Sequence, residues 1–255
     1  MQGTSELTGI VRDPGRHDHF VQLYQDARYL ADAVGEYVRT GLARGEAAII
    51  IARPQHRAHF VSALQGQPYD RGQLTLLDAE ETLARFMISG LPSWTQFREV
   101  VGGLIAEVRL HYPTVRAYGE MVDILWQEGN RDAAIRLEEY WNELGKLQTF
   151  SLFCAYRLDP LDSGLYGGPL ESVCKVHTHL LSSREWRGLE EAVQRASAKV
   201  LEQPLADVLL SLAESHKPAT LMPHAQATLF WLKQNMPRTA EKVLRELRAR
   251  GAPAD

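Results

Sequence analysis

The chain has 255 residues, 45% hydrophobic and 24% charged, with a formal net charge of −4 at neutral pH. That length suits one large domain, or a domain of roughly 150–180 residues with a smaller appendage, and the mild charge gives no field that would gather nucleic acid or an anionic membrane. No apolar run reaches the ~20 residues of a membrane span, the opening MQGTSELTGIVRDPGR lacks the apolar stretch of a secretory signal, and Cys154 and Cys174 are too few for a disulfide framework, so a cytoplasmic protein without a membrane partner is expected.

Residues 1–16 are polar, carry Pro14 and Gly15, and read as a loose lead-in. The segment from His17 to Tyr24 alternates as a strand does. Asp26 then offers an N-cap to a helix in which Leu30, Ala33, Val34, Tyr37 and Val38 recur at helical spacing, running out at Gly41–Gly45. Ala47–Ala52 is short, β-branched and apolar on both faces, as an interior parallel strand is. A helix from about Gln55 to Leu64 precedes a second short strand, Gln73–Asp78.

Ser93 is placed to cap a long amphipathic helix whose stripe is Trp94, Phe97, Val100, Val101, Leu104, Ile105 and Val108, and which stops before Pro113. Thr114–Tyr118 reads as a strand with Gly119 and Glu120 opening a short helix. Asn130 caps a further helix with a seam of Ala134, Leu137, Trp141 and Leu144, and Thr149–Tyr156 is the last clear strand. Strands alternating with helices imply a mostly parallel sheet covered on both faces. Ligands of such sheets sit beyond the carboxyl ends of the strands, here near Tyr24, Ala52, Asp78, Gly119 and Tyr156.

From Asp159 the chain becomes loop-like and then reads as helix throughout. Leu189, Val193, Ala196 and Val200 form a seam interrupted by Pro204; a turn at 218–223 leads to a helical pair broken at Met236–Pro237. The expected organisation is a lead-in over 1–16, an α/β domain over 17–182 and a helical C-terminal region over 183–255.

The order strand, helix, Gly41-Leu42-Ala43-Arg44-Gly45-Glu46, apolar strand resembles the RecA/KaiC-type ATPases. Those enzymes join the first strand to its helix by a glycine-rich loop whose backbone N–H groups, Lys and hydroxyl hold phosphates and magnesium. Here the connection is Tyr24-Gln25-Asp26-Ala27-Arg28-Tyr29, with no Gly, Lys, Ser or Thr, and Asp26 would repel a phosphate from the helix N-terminus. Nucleotide hydrolysis is not expected there. No G-x-S-x-G elbow or other local nucleophile signature is present either, so a non-catalytic chain without a cofactor is the expectation.

The same residues resemble the MEDS family, a sensory domain of methanogen and methylotroph proteins, over roughly His17 to His179. The carriers are His19 with Tyr24, the Gly41–Glu46 run, Gln73-Leu74 with Asp78-Ala79, and Arg116-Ala117-Tyr118-Gly119-Glu120-Met121. Leu137-Glu138 with Trp141-Asn142, Cys154-Ala155-Tyr156, and Val173-Cys174 with His177 complete the set. The resemblance implies a RecA-like three-layer α/β fold and a role in sensing small, hydrocarbon-derived ligands in bacterial and archaeal regulators, beside kinase, anti-sigma-type or DNA-binding modules. It also makes His19 a site candidate, a place that spacing alone does not give it.

Arg116 and Glu120 flank a strand-to-helix junction. They anchor a ligand carboxylate or a moving element, or Arg116 simply pairs with Glu120 or Glu138. Glu138 and Asn142 share a helical face, and Trp141 with Trp126 would wall an apolar pocket, although Trp141 also falls on the core seam. Tyr24 stands at the crevice end of its strand. Cys174, His177 and His179 offer metal-ligand types without the further ligand that a zinc site needs, so no metal is expected and His177 is kept as a ligand-site candidate. His56 and His59 read as solvated. The tail carries Lys233, Arg238, Lys242, Arg245, Arg248 and Arg250 beside apolar stripes; a helical hairpin that packs on the core or dimerises is favoured over a DNA reader, since basic side chains alone supply non-specific contacts. The expected function is sensing, with a small-molecule ligand and a regulatory protein partner. A pure interaction scaffold and an enzyme working without a phosphate loop are the alternatives.

Overall fold

The computed structural model describes residues 9–181, 188–216 and 222–249. Four expectations lie wholly or partly outside them: the first eight residues of the lead-in, the boundary near residue 182, most of the turn at 218–223, and Arg250. The fold is α/β, with a parallel central sheet and an α-helical C-terminal region. Two compact units divide it, Met1–Arg157 and Leu158–Asp255.

The first unit carries strands β1 (His19–Tyr24), β2 (Ala47–Ala52), β3 (Leu74–Asp78), β6 (Val115–Gly119) and β7 (Ser151–Arg157), with β4 (Met87–Ile88) and β5 (Leu91–Pro92) as a separate hairpin. Its helices are α1 (Ala27–Ala43), α2 (Pro54–Ala63), α3 (Ala79–Ala84), α4 (Trp94–Phe97), α5 (Gly103–Arg109), α6 (Met121–Gln127) and α7 (Arg131–Leu147). The sheet order is β3-β2-β6-β7-β1, and every one of these neighbouring pairs is parallel. β2 is buried at all positions, which is why its sequence is unbroken Ala and Ile; each buried Ile contributes about 1.5–3 kcal/mol.

Side-chain alternation divides the helices between the two faces. Arg116, Tyr118 and Phe153 point toward α1 and α2, where they meet Tyr37 and Phe60. Gly119, Cys154 and Tyr156 point the other way and meet Trp141 and Glu138 of α7. The expected covering of both faces is therefore present. Gly35 lets α1 approach α2, because a Cβ there would come within 2.8 Å of the Ala63 methyl.

Asp26 caps α1 by accepting from the Arg28 backbone N–H at 2.8 Å, and its carboxyl is held below the ordinary range by the Arg28 side chain. The junction that would carry a phosphate loop thus presents a carboxylate to the first helical amides.

The expected strands and main helices appear within a few residues of their expected bounds. The region between Asp78 and Ser93 was given no elements, yet it holds α3 and the β4–β5 hairpin. Ser89 and Gly90, both at positive φ, form the hairpin turn, and Asp78 accepts from the Glu80 and Glu81 amides to start α3. The long helix after Ser93 is not uniform. Arg98–Gly102 is π-helical between α4 and α5, and Gln148 donates to the Gly102 carbonyl at 3.0 Å.

The second unit holds a 3₁₀ turn (Ser163–Gly167), α8 (Pro169–Val176), β8 (His179–Leu181), α9 (Leu189–Leu201), α10 (Gln203–Ser215), α11 (His224–Asn235) and α12 (Pro237–Ala249). The expectation of helix alone past residue 169 missed β8. Pro204 does break the seam, with Glu202 at φ 67 between α9 and α10. Within this unit the tail's basic residues are partly consumed: Lys233 binds Ser163 and Glu241, Arg248 donates to Leu161 O, and Lys199 pairs with Glu246. Ala240, Val243, Leu244 and Leu247 of α12 are buried.

Candidate functional site

His19, the first residue of β1, is brought against α7 and β7. The β1–β7 register pairs His19 with Leu152 and Val21 with Cys154, which sets His19, Cys154 and Tyr156 on one face. α7 presents Glu138 and Asn142 to that face one turn apart, as their i, i+4 spacing requires. His19 Nδ1 lies 2.9 Å from Asn142 Oδ1, the geometry of an imidazole N–H donating to an amide oxygen. His19 Nε2 lies 3.3 Å from Glu138 Oε2 and 3.4 Å from Cys154 Sγ. The Cys154 thiol reaches the same Oε2 at 3.3 Å, while the Tyr156 hydroxyl donates to Oε1 at 2.8 Å. All four of His19, Glu138, Cys154 and Tyr156 are buried. Burial, then the Glu138 charge, pushes the Cys154 thiol well up, and the same two causes raise Tyr156.

Beside His19 lies a pocket of about 560 Å³, lined by the polar His17, Asp18, His19, Asn142 and Lys146 and by the apolar Trp141, Phe150 and Leu152. This pocket is not at the expected crevice. The pocket sits at the amino ends of β1 and β7, because a crossover helix runs antiparallel to the strands it joins and the last turns of α7 return to where β7 begins. Trp141 serves both readings made of it: it is buried against Phe97 and Phe150 and also borders the pocket. Its ring fits because residue 119 is glycine; a Cβ there would stand 3.4 Å from Trp141 Cζ2.

The carboxyl ends of β1, β2, β6 and β7 hold a different cluster. Glu120 Oε1 accepts from the Arg53 backbone N–H at 2.9 Å and from Arg53 Nη1 at 3.3 Å. Glu120 Oε2 meets His56 Nδ1 at 2.8 Å and the Tyr118 hydroxyl at 3.3 Å. Asp123 accepts from Arg53 Nη1 at 2.9 Å, the Arg157 backbone N–H at 2.8 Å and Gln127 at 3.0 Å. Tyr24 closes the group, with its ring 6.2 Å from that of His56 and its hydroxyl pushed up by burial, then by Asp123 and Glu120. His56 is buried here, against the expectation of a solvated side chain; His59 is exposed as expected.

Within the first unit, Arg116 and Trp126 have other partners. Arg116 lies near the amino end of β6 and pairs with Glu46, not with Glu120 or Glu138. Its guanidinium also donates to Tyr37 O (2.8 Å), Thr40 Oγ1 (3.0 Å), Val11 O (3.2 Å) and Arg12 O (3.1 Å). Trp126 stacks edge-on against Tyr156 with Arg131 over its ring and is not among the residues that line the pocket beside Trp141. His177 belongs to the second unit, where it caps α8 and its Nδ1 donates to Val173 O at 2.7 Å. Cys174 is buried, which raises its thiol to about 12, and Cys174, His177 and His179 form no donor cluster of their own among the described residues.

A family model described as MEDS, the methanogen/methylotroph, DcmR sensory domain, matches residues 18–178. The chain belongs to the MEDS family. No curated protein and no solved structure matches it. The geometry gives the MEDS residues quoted above separate physical jobs. In the Gly41–Glu46 run, Gly41 is the point where the Arg116 side chain crosses α1; a Cβ would meet Arg116 Cδ and Nε at 2.6 Å. Gly45 takes φ +77 to end the helix, and Glu46 supplies the partner of Arg116. Arg116 in this MEDS domain is therefore a structural tie, whereas His19, Glu138, Asn142 and Cys154 converge. Cys154, Tyr156, Arg53 and Asp123 were not singled out as site residues, although Cys154 and Tyr156 stand two apart on a strand, a spacing that puts both on one face.

Proposed function

We propose that this MEDS domain is a non-catalytic sensor that takes a small organic ligand into the pocket beside His19. One observation carries the reading: the His19–Asn142 pair, joined by an imidazole N–H to amide oxygen hydrogen bond, lines a pocket together with the apolar Trp141, Phe150 and Leu152 and the charged Asp18 and Lys146. The volume falls in the range of small-molecule sites, roughly 300–1,000 Å³, and a few fixed polar groups on an apolar wall are how such sites orient a ligand. The Asp26 carboxylate at the start of α1 argues against phosphate chemistry at that junction, so the RecA-like order serves here as a scaffold. For binding to act as a signal the ligand must favour one arrangement of the protein over another, and α7, which carries Glu138, Trp141 and Asn142, is the element placed to feel it. The output is read by a regulatory protein.

The test is a calorimetric titration of the full chain with short alcohols, carboxylic acids and halogenated hydrocarbons, beside Asn142→Ala and Phe150→Ala. Saturable binding by the parent chain that both variants lose supports the reading. Binding that survives both, or stoichiometric turnover of a probe, contradicts it.

A second reading has its own observation. Leu205, Val208 and Leu212 of α10 lie along one helical stripe and are exposed, Val208 by 56%. Such a stripe favours a protein-docking role, and a stable complex that forms without any small molecule would support it over the sensor.

A further inference from the structure

We infer that His19 Nε2, Glu138 Oε2 and Cys154 Sγ form three corners of a site for a divalent transition metal, with zinc the best match. This goes beyond the pocket reading and does not depend on it. The three atoms make a triangle with sides of 3.3, 3.4 and 3.3 Å. An ion at zinc's bond lengths, about 2.0–2.3 Å to nitrogen, oxygen and sulfur, spaces tetrahedral donors about 3.3–3.7 Å apart. One face of such a tetrahedron is therefore already built from protein atoms, and the remaining position is left for a further side chain, solvent or a ligand atom.

The surroundings are those of a metal site at both ligand ends. Asn142 Oδ1 accepts a hydrogen bond from His19 Nδ1–H, the tautomer that leaves the Nε2 lone pair facing Glu138 and Cys154. Tyr156 holds Glu138 by Oε1 and leaves Oε2 pointing into the triangle. The three donors come from β1, α7 and β7, two of them on strands in fixed parallel register, so the corners are held by the sheet and not by a loop. The ligand set also selects the ion. A thiolate with an imidazole and one carboxylate suits zinc, and by the same softness cobalt(II); it suits calcium or magnesium poorly, since those ions want oxygen donors. Binding releases the Cys154 proton to solvent, the usual exchange when a thiol becomes a ligand.

The experiment uses the full chain, stripped of metal by chelator and titrated with Co²⁺ alone and then with Zn²⁺. The expected result is one Co²⁺ per chain, with a thiolate-to-cobalt charge-transfer band and tetrahedral d–d bands that Zn²⁺ displaces. Cys154→Ser should lose the charge-transfer band, and His19→Gln should weaken binding by more than about 100-fold. Tyr156→Phe, which touches no metal and keeps the ring, should weaken it by about 10- to 100-fold. Cys174→Ser should leave the spectrum unchanged, and circular dichroism of each variant reports whether it folds. A folded parent chain with no thiolate–cobalt band overturns the inference, as does a band that survives Cys154→Ser and vanishes in Cys174→Ser. An organic probe that binds the metal-free chain in the calorimetric titration confirms the pocket alone, and metal uptake without probe binding confirms the metal site alone.

Discussion

Two buried polar clusters in the first unit differ in one respect that separates structure from sensing. At the carboxyl ends of the strands, Glu120 and Asp123 face a permanent cation, Arg53, and every carboxylate oxygen of the pair has a donor in hydrogen-bond range. At the amino-end side, Glu138 faces an imidazole, a thiol and a phenol, none of which carries a fixed positive charge. The first cluster has its charge compensated by the chain itself and behaves as a clamp between the β2–α2 and β6–α6 junctions. The second brings together an imidazole, a carboxylate and a thiol, donors of the types that bind metals. A pocket adjoins the second group through His19 and Asn142.

The largest effect that would break this comparison is at the clamp. Glu120→Ala leaves Arg53 and His56 facing a buried void and should cost about 3–5 kcal/mol in urea unfolding, the usual loss when one partner of a buried ion pair is removed. If the metal-free chain lost as much from Glu138→Gln, the two clusters would be equivalent and the contrast would fail. Zinc at 100 times its dissociation constant should stabilise the parent chain by about 2.7 kcal/mol in the same assay and leave Cys154→Ser unmoved. Gly41→Ala tests the third buried charge, Arg116. A methyl forced to within 2.6 Å of that side chain should cost about 1–3 kcal/mol, with probe binding in the folded fraction unchanged. The smallest effect belongs to α10, where Val208→Ser should change stability by no more than about 0.5 kcal/mol while weakening any protein partner that docks on that stripe.

The same contrast explains what the sequence made legible. Element order followed from periodicity, since β2 and the α7 seam each carry their signal within one short segment. The i, i+4 pairing of Glu138 with Asn142 followed from helix geometry, and both do reach one histidine. Strand register did not follow. Nothing local in His19 or Cys154 states that β1 lies beside β7 and offset so that Val21 meets Cys154, yet that offset makes the triangle. Arg116 was misplaced for a related reason. Gly119 and Glu120 lie at the carboxyl end of β6, whereas Arg116, the second residue of that five-residue strand, lies near its amino end. His56 looked solvated because its helix shows no apolar periodicity, and only the tertiary approach of Glu120 buries it. The hairpin at Met87–Pro92 was announced by Ser89-Gly90, a turn dipeptide whose flanking strands are too short for any periodic signal.

The central claim is that the domain takes its ligand at the amino-end pocket and not at the strand-end crevice. The most direct test is amide and side-chain chemical-shift mapping of the full chain, saturated with whichever organic probe binds in the calorimetric titration. The account predicts that the largest shifts fall on the His19 imidazole, the Asn142 side-chain amide and the Trp141 indole. Largest shifts at Tyr24, Arg53 and Glu120, with His19 unmoved, would contradict it.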